Sequence, residues 1–202
     1  QLGSTADQFQ FGWEQRTGDF DVQVRVESIR VTDPFAQAGL MARDGLGTSA
    51  RFAGVFAASP QVGSLFKSRG TVGGAAVTTS AAAGFPVNYP HTWLRLRRTA
   101  NVFTGFGSFD GLGWVQLGTV TIAGMPATLQ FGLAVASQDP GASTAARFRD
   151  LGSTAQTTVV TYVPDRELPG PFVRSTGLVL SEIHYHPLVG GVEFVELYNG
   201  GT

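Results

Sequence analysis

The amino-acid sequence predicts an all-β protein built as a sandwich of antiparallel strands. Short stretches alternate apolar and polar residues with the period of two that is typical of half-buried strands. Asp-Gly pairs and other turn residues separate these stretches, and no helical period extends over ten residues. Together these three observations favour two stacked antiparallel sheets over any helical fold.

The predicted strands follow one another at short intervals along the chain. The clearest spans 20–27, where the alternation places Phe20, Val22, Val24 and Val26 inside and Asp21, Gln23, Arg25 and Glu27 outside. The others cover 8–14, 37–43, 51–57, 63–69, 93–97, 102–109, 114–117, 119–122, 129–135 and 145–151, with a weak strand in 73–90. Leu129, Phe131, Leu133 and Val135 are expected to face the same core as residues 20–26.

The composition excludes several classes of function. Of 202 residues, 43% are hydrophobic and 14% are charged, and the net charge of −1 is spread without a basic block, which argues against nucleic-acid binding. No apolar run approaches 18 residues, so no membrane span is predicted. The absence of cysteine excludes disulfides, zinc-thiolate sites and cysteine nucleophiles.

The chain changes character after residue 152. Pro164, Pro169 and Pro171 stand among charged residues and predict an extended linker over 153–177. Two alternating stretches, 178–185 and 192–198, then predict a hairpin, and two strands cannot bury a core alone. We therefore predict a sandwich domain over 1–152, the linker, and the first part of a truncated second domain over 178–202.

Two resemblances to known families follow from particular motifs. The first rests on Thr17-Gly18-Asp19-Phe20, the run 33–43, Trp93-Leu94-Arg95-Leu96, Ser108-Phe109-Asp110-Gly111 before Trp114, and 132–137. Residues 9–151 thereby resemble a bacterial branch of the concanavalin A-like lectin/glucanase superfamily, which implies a jelly roll within a large secreted or surface protein. The second rests on 181–187 and 193–199, which are similar to the opening of a lamin-tail domain and imply an immunoglobulin-like module.

Catalysis is not expected from the available carboxylates. The related glucanases carry their acid and nucleophile as Glu-x-Asp-x-x-Glu on one strand, and a retaining glycosidase needs the two carboxylates about 5–5.5 Å apart. No such run exists here: Glu14 and Glu27 are isolated, and Asp19 with Asp21 reads as a turn residue and a solvent-facing strand residue. Glu193 and Glu196 fall on opposite faces of a strand.

Metal sites are weakly indicated. Calcium at the rim of the sandwich is frequent in this superfamily, and the candidate oxygen ligands are Asp19, Asp21, Asp139 and Asp150. His184 and His186 share one strand face and could hold a transition metal, but no third ligand is evident, and His91 stands alone beside Pro90. No cofactor other than calcium is indicated.

Ligand-binding candidates are basic residues on strands that could share a sheet face. They are Arg43, Lys67, Arg69 and Arg95, with Arg97 two positions on. The alternative is a solvated face whose charges guard against edge pairing. Trp13, Trp93 and Trp114 interrupt apolar alternations and are expected to anchor the core.

The favoured hypothesis is a non-enzymatic module of an extracellular or surface bacterial protein, for adhesion, carbohydrate contact or structural spacing. Its partner would be a glycan. The alternative is a subunit of a self-assembling fibre or layer, in which strands of other copies of the same chain complete the sheets. A glycoside hydrolase is disfavoured.

Overall fold

The computed structural model describes residues 1–81, 84–164, 178–184 and 194–199. The chain divides into two compact units, Gln1–Leu168 and Pro169–Thr202. The first unit is the predicted all-β sandwich of two antiparallel sheets, and this prediction is confirmed. No helix long and apolar enough to cross a membrane occurs among the described residues.

The sandwich contains eleven strands in the described part of unit one. They are β1 (Gln10–Thr17), β2 (Phe20–Ile29), β3 (Gln37–Arg43), β4 (Phe52–Ala57), β5 (Ser64–Arg69), β6 (Val77–Thr79), β7 (Thr92–Thr99), β8 (Val102–Ser108), β9 (Val115–Thr121), β10 (Thr128–Ala136) and β11 (Ala146–Ser153). One sheet has the order β1-β10-β3-β4-β5-β6, and the other has the order β11-β2-β7-β8-β9.

The inter-sheet core contains most of the residues that alternation places inside. Phe20, Val22, Val24 and Val26 are buried, as are Leu129 and Phe131, while Leu133 packs at the margin. Asp21, Gln23 and Arg25 lie on the other face of β2, as predicted. Val135 is the exception: it is half-buried near the end of β10 and lines a groove beside the following loop.

Glycines in β8 and β9 let aromatic rings approach the sheet closely. A β-carbon at Gly105 would lie 2.4 Å from Phe66 Cδ2, and one at Gly107 would lie 2.6 Å from Phe85 Cε1. A β-carbon at Gly118 would also meet the Phe66 ring, at 2.7 Å. These strands therefore carry glycine because the space of a side chain is already filled by phenylalanine rings.

A separate segment covers the outer face of the six-stranded sheet. Residues 1–9, here called the N-terminal strap, place Leu2 against Met41, Phe52 and Phe56 in a second apolar cluster. The Asp7 amide donates to the Thr48 carbonyl at 2.9 Å. The part of this outer face that carries Met41, Phe52 and Phe56 is therefore shielded from solvent.

A second segment covers part of the outer face of the five-stranded sheet. Residues 154–160, here called the return segment, bond to the sheet through Thr154 N and Asp21 O at 3.0 Å. Trp114 N donates to Thr158 O at 2.9 Å, and Val160 N donates to Trp114 O at 2.8 Å. Residues predicted as the start of the linker thus pack on the sandwich, which extends past residue 152.

The sheet edges differ in how they are protected from pairing with another chain. β11 is broken by two register shifts, with Asp150 at φ +55° within the second, and β6 is only three residues long. β1 has eight residues and pairs with β10 in unbroken register from Gln10 to Thr17. β9, the remaining edge, has seven residues and a register shift against β8, so β1 is the longest unbroken edge of the described sandwich.

Unit two contains the predicted pair of strands. β12 (Leu178–His184) and β13 (Phe194–Asn199) pair antiparallel, with a register shift between Leu180 and Glu182. The connection between these strands, including His186 and Glu193, lies outside the described residues. The resemblance to a lamin-tail domain stays a prediction.

Candidate functional site

Three of the four basic candidates lie on the outer face of the six-stranded sheet. Arg43 on β3 and Arg69 on β5 flank Phe52 in one cross-strand row, and Lys67 lies two positions from Arg69. All three are buried, because the N-terminal strap lies over them. The alternative reading, a solvated face with guarding charges, is therefore wrong for this sheet.

Asp7 of the strap binds both arginines. Arg69 donates to it through two nitrogens, Nη1 to Oδ2 at 2.6 Å and Nη2 to Oδ1 at 2.8 Å, and Arg43 Nη1 donates to Oδ2 at 2.9 Å. Backbone carbonyls accept further hydrogen bonds from the two arginines; Arg43 Nη2, for example, donates to Gly47 O at 2.7 Å. Burial lowers the pKa of Arg43, although the hydrogen bond and the charge of Asp7 oppose that shift. Asp7, Arg43 and Arg69 are together called the Asp7 cluster.

Lys67 lies beside this cluster and is less well satisfied. It is the only lysine in the chain. Its Nζ donates to the Leu2 carbonyl at 3.3 Å, and its residue is only 5% exposed. Burial lowers its pKa to about 8, despite the opposing charge of Asp7.

Arg95 lies on the other sheet, so the four candidates do not share one face. Its Nε and Nη2 bind the two carboxylate oxygens of Asp21 at 2.7 and 2.6 Å. The guanidinium stacks 4.5 Å from the Phe106 ring centroid and 5.6 Å from that of Trp114. The prediction of a shared face fails because β5 and β7 belong to different sheets.

The four calcium candidates are dispersed among separate partners. Asp21 is held by Arg95, and Asp150 Oδ2 accepts from Arg25 Nε at 2.8 Å. Asp19 accepts from the Ala100 amide, and Asp139 accepts from the Gly141 amide at 2.8 Å. Among the described residues, no three His, Cys, Asp or Glu side chains gather as a metal site.

The remaining acidic candidates form surface ion pairs. Glu14 accepts from Arg16 Nη2 at 2.7 Å on β1, and Glu27 lies 3.5 Å from Arg25 Nη1 and 3.3 Å from Arg149 Nε on the other sheet. The side chains of His184 and Glu196 lie outside the described set.

The tryptophans lie outside the inter-sheet core. Trp114 is fully buried as predicted, but on the outer face of the five-stranded sheet, where Arg95 lies over its ring and its indole N–H donates to the Gln156 carbonyl at 2.7 Å. Trp93 is half-buried on the same outer face, over Gly111, so its predicted place in the core is wrong. Trp13 is 44% exposed, so its predicted burial is wrong, because it projects from the edge strand β1.

A groove lies where the loop after β10 meets the strap and the start of β1. This rim groove has a volume of about 540 Å³. Its polar and aromatic lining residues include Gln8, Phe9, Gln10, Ser137 and Asp139. Residues 137–141 were predicted as a loop, but nothing indicated a groove, because its other wall comes from residues 8–10, far earlier in the chain.

The loop is held in place by its own hydrogen bonds and by the strap. Ser137 Oγ donates to the Asp139 carbonyl at 2.7 Å, and the Asp139 carboxylate accepts a hydrogen bond from the Gly141 amide. Gln138, at φ +61°, accepts from the Leu2 amide at 2.7 Å and donates to the Leu2 carbonyl at 3.0 Å. The groove walls are therefore pre-formed.

A second cleft opens on Lys67. This Lys67 cleft has a volume of about 390 Å³, and its lining includes Asp33, Phe35, Thr78 and Gln138. Phe35 is 55% exposed beside it. Gln1 lines both the cleft and the rim groove, so the two are neighbours.

No model of a known family matches the chain. No curated protein matches it either.

Solved structures are similar to the chain at low sequence identity. A functionally unknown protein from Saccharomyces cerevisiae is similar at 19% identity and a TM-score of 0.56, over 75% of this chain and 77% of that one. A variant of the GH43 protein BlXynB from Bacillus licheniformis gives 15% identity and 0.50, over 64% of this chain and 26% of that one. The carbohydrate binding module CBM66 from Bacillus subtilis gives 16% and 0.42, over 72% and 94%.

Proposed function

We propose that this chain is a non-enzymatic carbohydrate-contact module of an extracellular bacterial protein, and that a saccharide binds in the rim groove. The observation that carries the proposal is the lining of that groove. Gln8, Gln10, Val135 and Asp139 line one pre-formed depression.

The chemistry of the lining suits a sugar. Each side-chain amide offers both donors and an acceptor, which matches a hydroxyl that donates and accepts in turn. Asp139 keeps Oδ2 for a sugar hydroxyl, since its recorded bond to Gly141 uses Oδ1. Val135, which is half-buried and lines the groove, adds an apolar surface against which the C–H face of a pyranose can pack.

The absence of catalysis is part of the proposal. Glycoside hydrolysis needs two carboxyl groups on either side of the scissile bond, about 5–5.5 Å apart for retention and about 6.5–9.5 Å apart for inversion. Among the described residues that line the rim groove, Asp139 is the only carboxylate. Incubation with polysaccharides that bind should release no reducing ends.

The test is a glycan array probed with the whole chain, followed by NMR titration of each saccharide that binds. Resonances of Gln8, Gln10 and Asp139 should shift. Gln10→Ala should weaken binding about two- to tenfold, the range for one lost hydrogen bond. Gln15→Ala, on the same strand but outside the groove, should leave the affinity unchanged. Binding that ignores Gln10→Ala, or shifts confined to another surface, would contradict the proposal.

The regular edge of β1 favours assembly of copies as a second candidate function. Gly18 N donates to Ala127 O at 3.0 Å, and alternate residues of an antiparallel strand bond to the same neighbour. The N–H of Gln15, three positions earlier, therefore points away from β10. An antiparallel pair of β1 strands centred on Gln15 would place Glu14 opposite Arg16 of the second copy. By symmetry this gives two such charge pairs.

Charge reversal tests the assembly. If β1 strands pair in this register, Glu14→Arg should lower the association constant measured by sedimentation, because two arginines then face each other across the strands. The swapped variant with Glu14→Arg and Arg16→Glu should restore it. A single reversal with no effect, or a monomer at all concentrations, would exclude this register.

A further inference from the structure

Lys67 carries hydrogen-bond donors that the described residues do not use. An ammonium group has three N–H donors. The single recorded acceptor is the Leu2 carbonyl, and its distance of 3.3 Å is at the long end for such a bond. A buried charge with two unused donors is costly, and such groups are ordinarily paired.

The charge of Lys67 is also not balanced on its own sheet face. Arg43, Lys67 and Arg69 supply three cations, and Asp7 is the carboxylate that they share. Both oxygens of Asp7 bind the arginines, through three hydrogen bonds of 2.6–2.9 Å. Lys67 is left with the charge of Asp7 at a distance but with no direct hydrogen bond to it.

The neighbours of Lys67 leave room for a ligand. Across the strands it faces Gly54, whose side-chain space is filled by the Phe56 ring, and on the other side Thr78 of the short, exposed strand β6. The Lys67 cleft reaches it from outside, between the strap and Phe35. A compact ligand can therefore enter where the unused donors lie.

We propose that Lys67 is the cation of a subsite that binds a carboxylate, and that the saccharide taken by this module is an acidic one, such as a uronic acid. The proposal deepens the proposed function, on which its saccharide part rests. The exposed ring of Phe35 and the hydroxyl of Thr78 supply apolar and polar contacts for the sugar that bears the carboxylate.

The charge around the cleft selects a carboxylate over a phosphate. Lys67 is the one cationic side chain among the described lining residues, and Asp33 adds a negative charge to the same lining. A monoanion is balanced by one ammonium, whereas a phosphate near neutral pH brings nearly two negative charges beside Asp33. One ammonium with an aspartate nearby therefore fits the smaller charge.

The single lysine makes a direct test possible. Protein labelled with ¹³C at the lysine ε-carbon gives one lysine signal, because the chain has no other lysine. Acetate and glucuronate should each shift this signal and raise the apparent pKa of Lys67, and glucose should do neither. Glucuronate should act at a lower concentration than acetate. The subsite would be overturned if the lysine signal shifts with neither carboxylate, or if inorganic phosphate binds more tightly than glucuronate.

Variants separate the subsite from the groove. Lys67→Met should weaken glucuronate binding at least about tenfold, as expected for a lost charge-assisted hydrogen bond. Arg147→Met, which removes an exposed cation elsewhere, should not. Unchanged glucuronate affinity in Lys67→Met would overturn the proposal. Gln10→Ala should weaken the binding of neutral saccharides, while the Lys67 signal should still respond to acetate. The rim groove and the Lys67 subsite are therefore tested by separate measurements.

The two sources of carboxylate are distinguished in the same titration. Tighter binding of glucuronate than of acetate supports the acidic saccharide. Equal affinities would support the carboxylate subsite but overturn its assignment to a saccharide, and would assign it to free organic acids.

Discussion

Replacing Asp7 by asparagine tests what holds the strap against the sheet. The change keeps the shape of the side chain but removes its charge, and it turns one of the acceptor oxygens into a donor. Three hydrogen bonds from Arg43 and Arg69 depend on those oxygens. Both guanidinium groups would then be buried without a directly bonded counter-charge, because their other acceptors are neutral carbonyls and a thioether.

The expected loss is large because the ions are desolvated. Removing one partner of a buried ion pair costs about 3–5 kcal/mol, since the partner left behind keeps its desolvation penalty. A domain of this size is ordinarily stable by about 5–15 kcal/mol, so the variant should fold but unfold early in urea. Glu14→Gln is the matched control: its pair with Arg16 is solvent-exposed and is worth about 0–1 kcal/mol.

Urea unfolding followed by tryptophan fluorescence measures both changes. Adding Arg43→Met to Asp7→Asn should return part of the lost stability, because one of the two unbalanced buried cations is then gone. The reasoning is refuted if Asp7→Asn costs no more than Glu14→Gln. It is also refuted if the added Arg43→Met destabilises Asp7→Asn further.

Three further outcomes are expected from the core and from Lys67. Phe131→Ala should lower the free energy of unfolding by about 3–5 kcal/mol in urea titrations, and a negligible change would mean that the ring is not in the core. Gly105→Ala should cost about 1–3 kcal/mol because its β-carbon meets Phe66 at 2.4 Å, whereas Gly12→Ala meets nothing within 4 Å and serves as the control. Burial lowers the pKa of Lys67 from 10.5 to about 8, so between these values the unfolded chain holds the extra proton and stability should rise with pH. This rise in the free energy of unfolding should be absent from Lys67→Met. A rise of the same size in Lys67→Met would contradict the assignment to Lys67.

The alternation of the strands was enough to predict the sandwich and most of its core. β2 and the first half of β10 alternate cleanly, and their apolar residues are the buried ones. Val135 departs from the pattern because the loop 137–141 starts close to it and the rim groove opens on that side. A period of two describes which face a residue occupies, but not what lies over that face.

The burial of the basic residues could not be predicted in the same way. The spacing of Lys67 and Arg69 indicates that they share a face, and they do. Their cover is the strap, residues 1–9, which has no regular period before β1 and pairs with no sheet as a strand. Asp7 therefore carried no signal in the sequence, although it is the carboxylate that the arginines bind.

The division of Arg95 from the other cations shows a second limit. Strands β5 and β7 are both rich in basic residues, and either could lie in either sheet by composition alone. Sheet membership is set by the crossover connections, which send β7 beside β2. Pairing over such separations leaves no local trace in the chain.

The return segment determines how the sandwich would respond to mechanical tension. A force applied to the chain beyond residue 164 reaches residues 154–160 before it reaches any strand of the five-stranded sheet. The backbone bonds at Trp114 and the bond from its indole to Gln156 would resist first, and β11 only afterwards. Peeling this segment would expose Arg95 and Trp114 while both sheets stay paired. The module therefore has a built-in first stage of extension, whose length is that of the return segment.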